Sequence, residues 1–433
     1  MARRFGQARA LALDVSPLRE SVPFRALWIG QVVSLAGSQM RSVAVPFQVF
    51  DITDSVVAVG MIGLVEVVPL IMVSLVAGAI ADRKDRRWIM ARAHIGLILT
   101  AGMLAALALG GSPPLWAIYV ITGVSASIDA VDRPARVAII PSLVPLAKIP
   151  AALALRQVSF QTTQIVGPAI AGLMIAAFPL WIVYAIDAVS FAAALIALRW
   201  VPPSLPEATQ VPQRGLDVIR EGLSFVRRDR VILSVFVVDL VAMIFGMPRA
   251  VFPALAKRTF GIGAAGLGLL YSAPAVGALL GALTTGWVSR VSRRGRAVLI
   301  AVGLWGVFIL LAGVSSAAAL LIPTLVFLAL AGWSDVISAV FRGTILQEAT
   351  PDRLRGRVSA SNIMVVTGGP RLGDVEAGIA AGILGAPLSV VVGGAACVVL
   401  TLALSLTRPL RGYKGGGTSA TPADERGGSI SSA

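Results

Sequence analysis

The chain has 433 residues, 57% of them hydrophobic and only 14% charged, with a mean hydropathy of +0.85 and a formal net charge of +15. A soluble domain carries about 25% charged residues, so this composition excludes an ordinary water-soluble globule and calls for lipid around most of the surface. A single cysteine, Cys397, and a single histidine, His94, rule out an intramolecular disulfide and leave almost nothing from which to build a His/Cys metal site.

The N-terminus opens with Arg3-Arg4-Phe5-Gly6, but no apolar core of a secretory signal follows. The first sustained apolar run begins near Ala26 and is too long for a cleavable leader, so it reads as a retained membrane helix. Apolar stretches of about 20 residues then recur along the chain. They predict spans at 25–49, 56–80, 88–110, 115–135, 153–177 and 180–199, then at 231–255, 265–289, 296–315, 318–341, 359–384 and 387–407. Prolines inside these runs (Pro46, Pro69, Pro168, Pro248, Pro253, Pro274) are tolerable where neighbouring helices satisfy the freed carbonyls.

The expected organisation is a cytoplasmic N-terminal segment (1–24), a six-helix bundle (25–199), a cytoplasmic linker (200–230), a second six-helix bundle (231–407) and a disordered cytoplasmic tail (408–433). The linker starts Pro-rich and ends Arg-rich, and the tail is polar and rich in Gly, Ser and Thr. With both termini inside, most of the Lys and Arg residues fall on the cytoplasmic side, which is the positive-inside pattern. That distribution accounts for the charge of +15 without nucleic acid. Lys257 and Arg258, in an outside loop, are the exception.

Between the second and third spans lies Gly78 followed by Asp82-Arg83-Lys84-Asp85-Arg86-Arg87, and a degenerate copy runs from Gly286 to Arg296. Other positions repeat at an offset of about 206. Gly63-Leu64, Glu66 and Pro69 match Gly268-Leu269, Tyr271 and Pro274. Asp129 and Arg136 match Asp335 and Arg342; Pro145, Gly167 and Gly172 match Pro351, Gly373 and Gly378. A coherent series of this kind implies a duplicated unit, with two repeats facing each other around a cavity.

The segment from Gly78 to Arg87 resembles the G-x-L-A-D-R-x-G-R-R loop signature of the major facilitator superfamily, with Asp85 in place of its glycine. Phe24-Arg25-Ala26-Leu27-Trp28, Arg133-Pro134-Ala135-Arg136 through Pro141, and Gly167-Pro168 resemble its transmembrane secretion effector branch, which includes enterobactin exporters and macrolide efflux pumps. The likeness spans residues 20–408. It implies an all-α membrane protein, a twelve-helix major facilitator bundle of two six-helix repeats, that exports a small molecule. Two features depart from the branch: Ser38 follows Gly37 where an acidic residue is common, and the exporter Gly-Pro signature of the fifth helix is incomplete.

The resemblance assigns a gating role to Gly78, Asp82, Arg83, Arg86 and Arg87. Asp82 is placed to cap a neighbouring helix, the eleventh, through its dipole, and Arg83 and Arg86 to reach Asp129 or Asp132. The bland alternative is a basic loop that only sets topology. Inside the spans, ionisable groups are costly and default to functional candidates: Arg41, Glu66, Asp187, Asp239, Arg249, Asp335, Arg371, Asp374 and Glu376. Glu66 sits about ten residues into its helix, roughly 15 Å deep at 1.5 Å per residue. It is the leading proton-coupling candidate, unless it is permanently paired with Arg41.

Arg371 and Asp374 form an i,i+3 pair expected to neutralise itself, which leaves Glu376 freer; Asp374 and Glu376 are kept as further proton-coupling candidates. Arg41, Arg249 and Arg371 could meet an anionic cargo, or Arg41 and Arg249 could form bridges with Asp187 and Glu66. Gln157, Gln161 and Gln164 share a face of the fifth helix and could line a path or bond between helices. Gly261–Gly266 spells G-x-G-x-x-G, but without a preceding strand or a later acid it is no dinucleotide site. His94 reads as structural.

The expected function is proton-driven export of an amphipathic siderophore or antibiotic by alternating access. Import, facilitated passage and a non-transporting receptor are the alternatives. No enzyme activity, cofactor, metal or nucleic acid is expected. The partners are substrate, protons and lipid, around a monomer in the bacterial inner membrane.

Overall fold

The computed structural model describes residues 14–81, 84–205 and 215–415. Twelve long helices carry the architecture: α1 (Val22–Thr53), α2 (Val56–Ala81), α3 (Arg86–Leu109), α4 (Leu115–Ala138), α5 (Ile149–Ala177), α6 (Leu180–Ala197), α7 (Arg230–Phe245), α8 (Gly263–Thr284), α9 (Arg294–Ala317), α10 (Leu321–Ala349), α11 (Asp352–Leu384) and α12 (Ala386–Leu406). No strand occurs among the described residues. Ten of the helical segments are long and apolar enough to cross a membrane by composition alone. The two that miss are α1 and α11, with 32 and 33 residues. At 1.5 Å per residue each measures about 50 Å, well beyond a hydrocarbon core of about 30 Å. Their hydropathy is lowered by ionisable residues, among them Arg41 in α1 and Arg371, Asp374 and Glu376 in α11.

The helices pair in a pattern that repeats every six. In the first half α1 packs on α5 and α6, α2 on α4, and α3 on α4 and α6. In the second half α7 packs on α11 and α12, α8 on α10, and α9 on α10 and α12. The halves then exchange the same contact: α2 meets α11 and α5 meets α8. Glycines make this possible. A Cβ on Gly60 would lie 2.7 Å from the Asp374 carbonyl oxygen and 2.9 Å from the Gly378 Cα; one on Gly172 would lie 2.7 Å from the Ala264 carbonyl and 2.8 Å from the Gly268 Cα. Without a hydrophobic driving force between helices in lipid, such backbone-close packing is what holds them together.

Helix starts follow from local chemistry. Ser21 caps α1, accepting from Phe24 N at 3.2 Å while its hydroxyl donates to the Leu143 carbonyl at 2.8 Å. Asp85, the residue that replaces the signature glycine, caps α3: its Oδ1 accepts from Arg87 N at 2.9 Å and from Ser204 N at 3.0 Å. Asp229 caps α7 through Val231 N and Ile232 N.

The sequence predicts one continuous seventh span over 231–255, but α7 stops at Phe245. Gly246 is seized by Trp305, whose Nε1 donates to its carbonyl at 3.1 Å, and Pro248 cannot rejoin the ladder. The chain continues as a 3₁₀ turn (Arg249–Val251), a single α turn (Phe252–Ala254) and a π turn (Leu255–Thr259). α10 and α11 also extend further than predicted, to Ala349 and from Asp352.

We refer to the end of the bundle bearing the start of α1 and the end of α12 as the terminal face, and to the other as the distal face. The glycine contacts lie in the distal halves of α2, α5, α8 and α11. At the distal face the two repeats are also clasped by ion pairs, Asp51–Lys257 at 2.7 Å and Asp54–Arg258 at 2.5 Å. The Asp54 carbonyl accepts from Arg258 as well, from a left-handed φ of 48° that ends α1. At the terminal face the helix Gly215–Arg228 lies against α11 and α2, with Glu221 paired to Arg357.

A side chain at Gly378 must push α2 and α11 apart at the distal face. Gly378→Val is expected to cost about 1–3 kcal/mol in this conformation, a roughly 5- to 150-fold shift towards the distally open form. Distances between spin labels on the 54 and 258 loops would measure it.

Candidate transport site

The centre of the interface between the repeats holds a cluster of charge. Glu66 on α2 accepts from Arg371 Nε on α11 at 2.9 Å, and Arg371 also donates to the Thr367 carbonyl at 2.6 Å. Both side chains remain partly accessible, 32% for Glu66 and 21% for Arg371. One turn along α11, Asp374 accepts from the backbone N–H of Ala250 at 3.2 Å. That donor exists because α7 is broken, which frees the amides of the 3₁₀ turn. Tyr271, which the repeat aligns with Glu66, donates to the Arg249 carbonyl at 3.3 Å and stands edge-on to Phe252 at 5.1 Å. Asp374 lies within electrostatic reach of Arg249, Glu66 and Arg371.

One alternative falls and one expected pairing is thereby corrected. Glu66 is not held by Arg41; its partner comes from the other repeat. Arg371 does not fold back onto Asp374, because the guanidinium is drawn across the interface to Glu66 while Asp374 turns to the α7 break. Glu376 is half-buried on α11 and makes no hydrogen bond or ion pair among the described residues, as does the guanidinium of Arg249.

Arg41 is committed within the first half. Its Nη1 lies 3.1 Å from the fully buried Asp187 on α6, and its guanidinium stands 5.8 Å from the Phe191 ring. The crossing needs Gly37, where a Cβ would fall 2.8 Å from Asp187 Oδ1. Gln157 is exposed on α5, and Gln161 and Gln164 are half-buried; none of the three is hydrogen-bonded among the described residues. They are not drawn into the Glu66 cluster. The carbonyl next to Gln164, that of Ile165, accepts from Ser272 of α8 at 2.9 Å.

Nearer the terminal face, each repeat has a buried arginine knot. In the first, Arg136 binds Asp129 at 2.6 Å and Asp132 at 2.7 Å, and Arg133 also binds Asp129 at 2.8 Å. In the second, Arg342 binds Asp239 at 3.0 Å, Asp335 at 3.6 Å and Ser338 Oγ at 3.0 Å. Asp82 and Arg83 of the loop signature lie outside the described residues; Gly78 falls near the end of α2. Arg86 reaches neither Asp129 nor Asp132. It donates to the Ala138 carbonyl at 2.9 Å and towards Ser204 Oγ at 3.4 Å, because the arginines of α4 already occupy both carboxylates. Arg87 serves through its backbone N–H, on Asp85. A cavity of about 480 Å³ opens between α10 and α11 in this region, lined by Gln347, Glu348, Thr350, Arg355 and Asn362 among others.

Sequence reasoning passed over three features. Lys257 and Arg258 registered only as misplaced cations, although the acids Asp51 and Asp54 in the repeat-equivalent loop were the available signal. The capping role of Asp85 was hidden by its departure from the signature. His94 was set aside, yet it faces Asp132 inside the bundle. Removing one partner of a buried pair strands the other charge, so Arg342→Ala is expected to destabilise the protein by about 3–5 kcal/mol, whereas Arg342→Met combined with Asp239→Leu and Asp335→Leu, which leaves neither carboxylate unpaired, restores most of it. Thermal unfolding in detergent would compare the two.

A model of the transmembrane secretion effector family matches residues 12–422. Enterobactin exporters from Shigella boydii serotype 18 and Escherichia coli O139:H28 are each 27% identical over 356 residues, covering 80% of this chain and 82% of theirs. Among solved structures, the nucleoside transporter NupG superposes with a TM-score of 0.71 at 13% identity, covering 89% of this chain and 98% of that one. A bacterial homologue of the iron transporter ferroportin in its inward-facing state gives 0.65 at 16%, covering 89% and 99%. At these identities the structures attest the fold alone. With the duplicated twelve-helix bundle and the family match over nearly its whole length, this chain belongs to the transmembrane secretion effector family of major facilitator transporters.

Proposed function

We propose that this transporter exports a small amphipathic, anionic molecule of the siderophore class in exchange for protons. The observation that carries the reading is the Glu66–Arg371 pair. It joins the two repeats at mid-helix depth, it is partly accessible, and its two members can each take another partner. A cargo that hydrogen-bonds to ionised Glu66 while its anionic group rests on Arg371 needs Glu66 without a proton. Protonating Glu66 removes that acceptor and releases the cargo; losing the proton prepares the site to load again. Cargo and proton thus exclude each other at one carboxylate, which is the logic of an antiporter. The guanidinium of Arg249, which lies within electrostatic reach of Asp374, and the carboxylate of Glu376 supply a second cation for the cargo and a second acid for coupling.

The basic segments around the terminal face support placing it in the cytoplasm of a bacterial inner membrane, with both termini inside. In that orientation the distal clasp makes this an inward-facing form, ready to load cargo from the cytoplasm. The enterobactin exporters among its relatives favour a catecholate-like cargo over a cationic drug.

In energised inside-out vesicles, adding a catecholate siderophore is expected to release protons from the lumen, while a macrolide does so weakly. Silence with both, from correctly folded protein, would overturn the antiport reading. A proton moving down 100 mV supplies about 2.3 kcal/mol, roughly a 50-fold concentration ratio of cargo. Glu66→Gln is expected to abolish that uphill component while retaining downhill exchange, and Glu376→Gln to weaken it. Full uphill transport in both variants would sink the assignment.

A further inference from the structure

The single histidine lies outside the cluster just described, and its surroundings are unusual. His94 is 2% exposed on α3, and neither ring nitrogen has a hydrogen-bond partner among the described residues. Its Nε2 stands 3.7 Å from Oδ2 of Asp132, which is fully buried on α4 and whose Oδ2 is ion-paired with Arg136 Nε at 2.7 Å. The separation is a few tenths of an ångström beyond hydrogen-bond reach. A neutral imidazole left unpartnered in such a place is costly, whereas a protonated one would form a charge-assisted bond to the carboxylate.

We propose that His94 and Asp132 form a proton-binding site in the first repeat, distinct from Glu66, whose occupancy resets the arginine knot of α4. The groups facing it are few. From α4 come Asp129, Arg133 and Arg136. From α6 comes the Phe191 ring, 5.9 Å from the imidazole; Asp187, elsewhere on α6, is engaged by Arg41 of α1. Arg156 of α5 lies within electrostatic reach of Arg136. With the imidazole neutral, two carboxylates face two guanidiniums on α4 and the knot is balanced.

One proton from water at the terminal face forms an N–H bond on His94, and the imidazolium draws the Asp132 carboxylate to itself. Arg136 then falls wholly on Asp129, and Arg133, whose side chain is already 47% exposed, is the cation displaced outward. The end of α4 gains a positive charge at the terminal face. Deprotonation reverses each step. The second repeat has no such device: Ser338 stands at the position of Asp132, and aligning the starts of α3 and α9 puts the buried Val302 at the position of His94. The acid that Arg342 gains instead is Asp239, which leaves its knot without an imidazole.

The role in transport rests on the proton-coupled reading above, but the site itself can be tested without transport. Because His94 is the only histidine, ¹⁵N-histidine labelling of protein purified without a histidine tag gives one imidazole to follow by NMR in lipid nanodiscs. Both ring nitrogens are expected to respond to pH within the range over which the protein stays folded, and Asp132→Asn to lower the midpoint by about one pH unit or more. An imidazole that stays neutral across that range, or a midpoint indifferent to Asp132→Asn, would overturn the site. In vesicles, His94→Gln is expected to displace the pH profile of siderophore-driven proton release while Glu66→Gln abolishes uphill transport. An unchanged profile in His94→Gln, with wild-type transport still collapsed by an uncoupler, refutes the coupling role and leaves the antiport reading standing. Wild-type transport indifferent to the uncoupler, with His94 still titrating, would fail that reading and leave the site.

Discussion

An ionised side chain inside a hydrocarbon layer has to find a counter-charge, and the interior of this bundle is organised around that requirement. Arg41 answers Asp187, Arg136 answers Asp129 and Asp132, Arg342 answers Asp239 and Asp335, and Arg371 answers Glu66. The first three pairings lie within one repeat and hold it as a unit. The fourth lies between the repeats, in the middle of their interface. The same chemistry thus serves inside each repeat and across the seam, and differs only in which helices the pair connects.

Duplication explains the architecture, and departures from it explain function. The contact between α2 and α11 repeats as that between α5 and α8, with glycines at matching places. Only the former carries an ion pair, because Tyr271 stands where Glu66 stands in the other repeat. The loops at the distal face are equivalent in sequence position, yet one is acidic and the other basic, so they attract. Asp132 and Ser338 differ likewise. A perfectly symmetric bundle would carry none of these differences between its halves.

Much of this was legible in the chain. Span positions followed from apolar run length, and the repeat from spaced matches such as Asp129/Arg136 with Asp335/Arg342. The depth of Glu66 followed from counting residues. Its partner did not, since Arg371 is 305 positions away and nothing local distinguishes it from Arg41. The self-neutralising pair assigned to Arg371 and Asp374 failed because helix spacing permits a contact without requiring it. The break after α7 was signalled by Pro248, but its use, an amide offered to Asp374, depends on how α7 lies against α11. His94 was set aside because a lone histidine has no pattern; its meaning lies wholly in the carboxylate facing it.

The distal clasp has a further consequence. Lys257, Asp51, Arg258 and Asp54 are each at least half exposed, so their pairs are of the weak, water-facing kind, worth about 1 kcal/mol or less. Such pairs are screened by dissolved ions, over about 10 Å at 0.1 M and about 3 Å at 1 M ionic strength. The partly accessible Glu66–Arg371 pair at the middle of the interface is screened less. Raising the ionic strength at the distal face would therefore loosen one contact between the repeats and leave the pairs in the middle of the interface less affected, making the balance between its forms a function of the medium bathing that face.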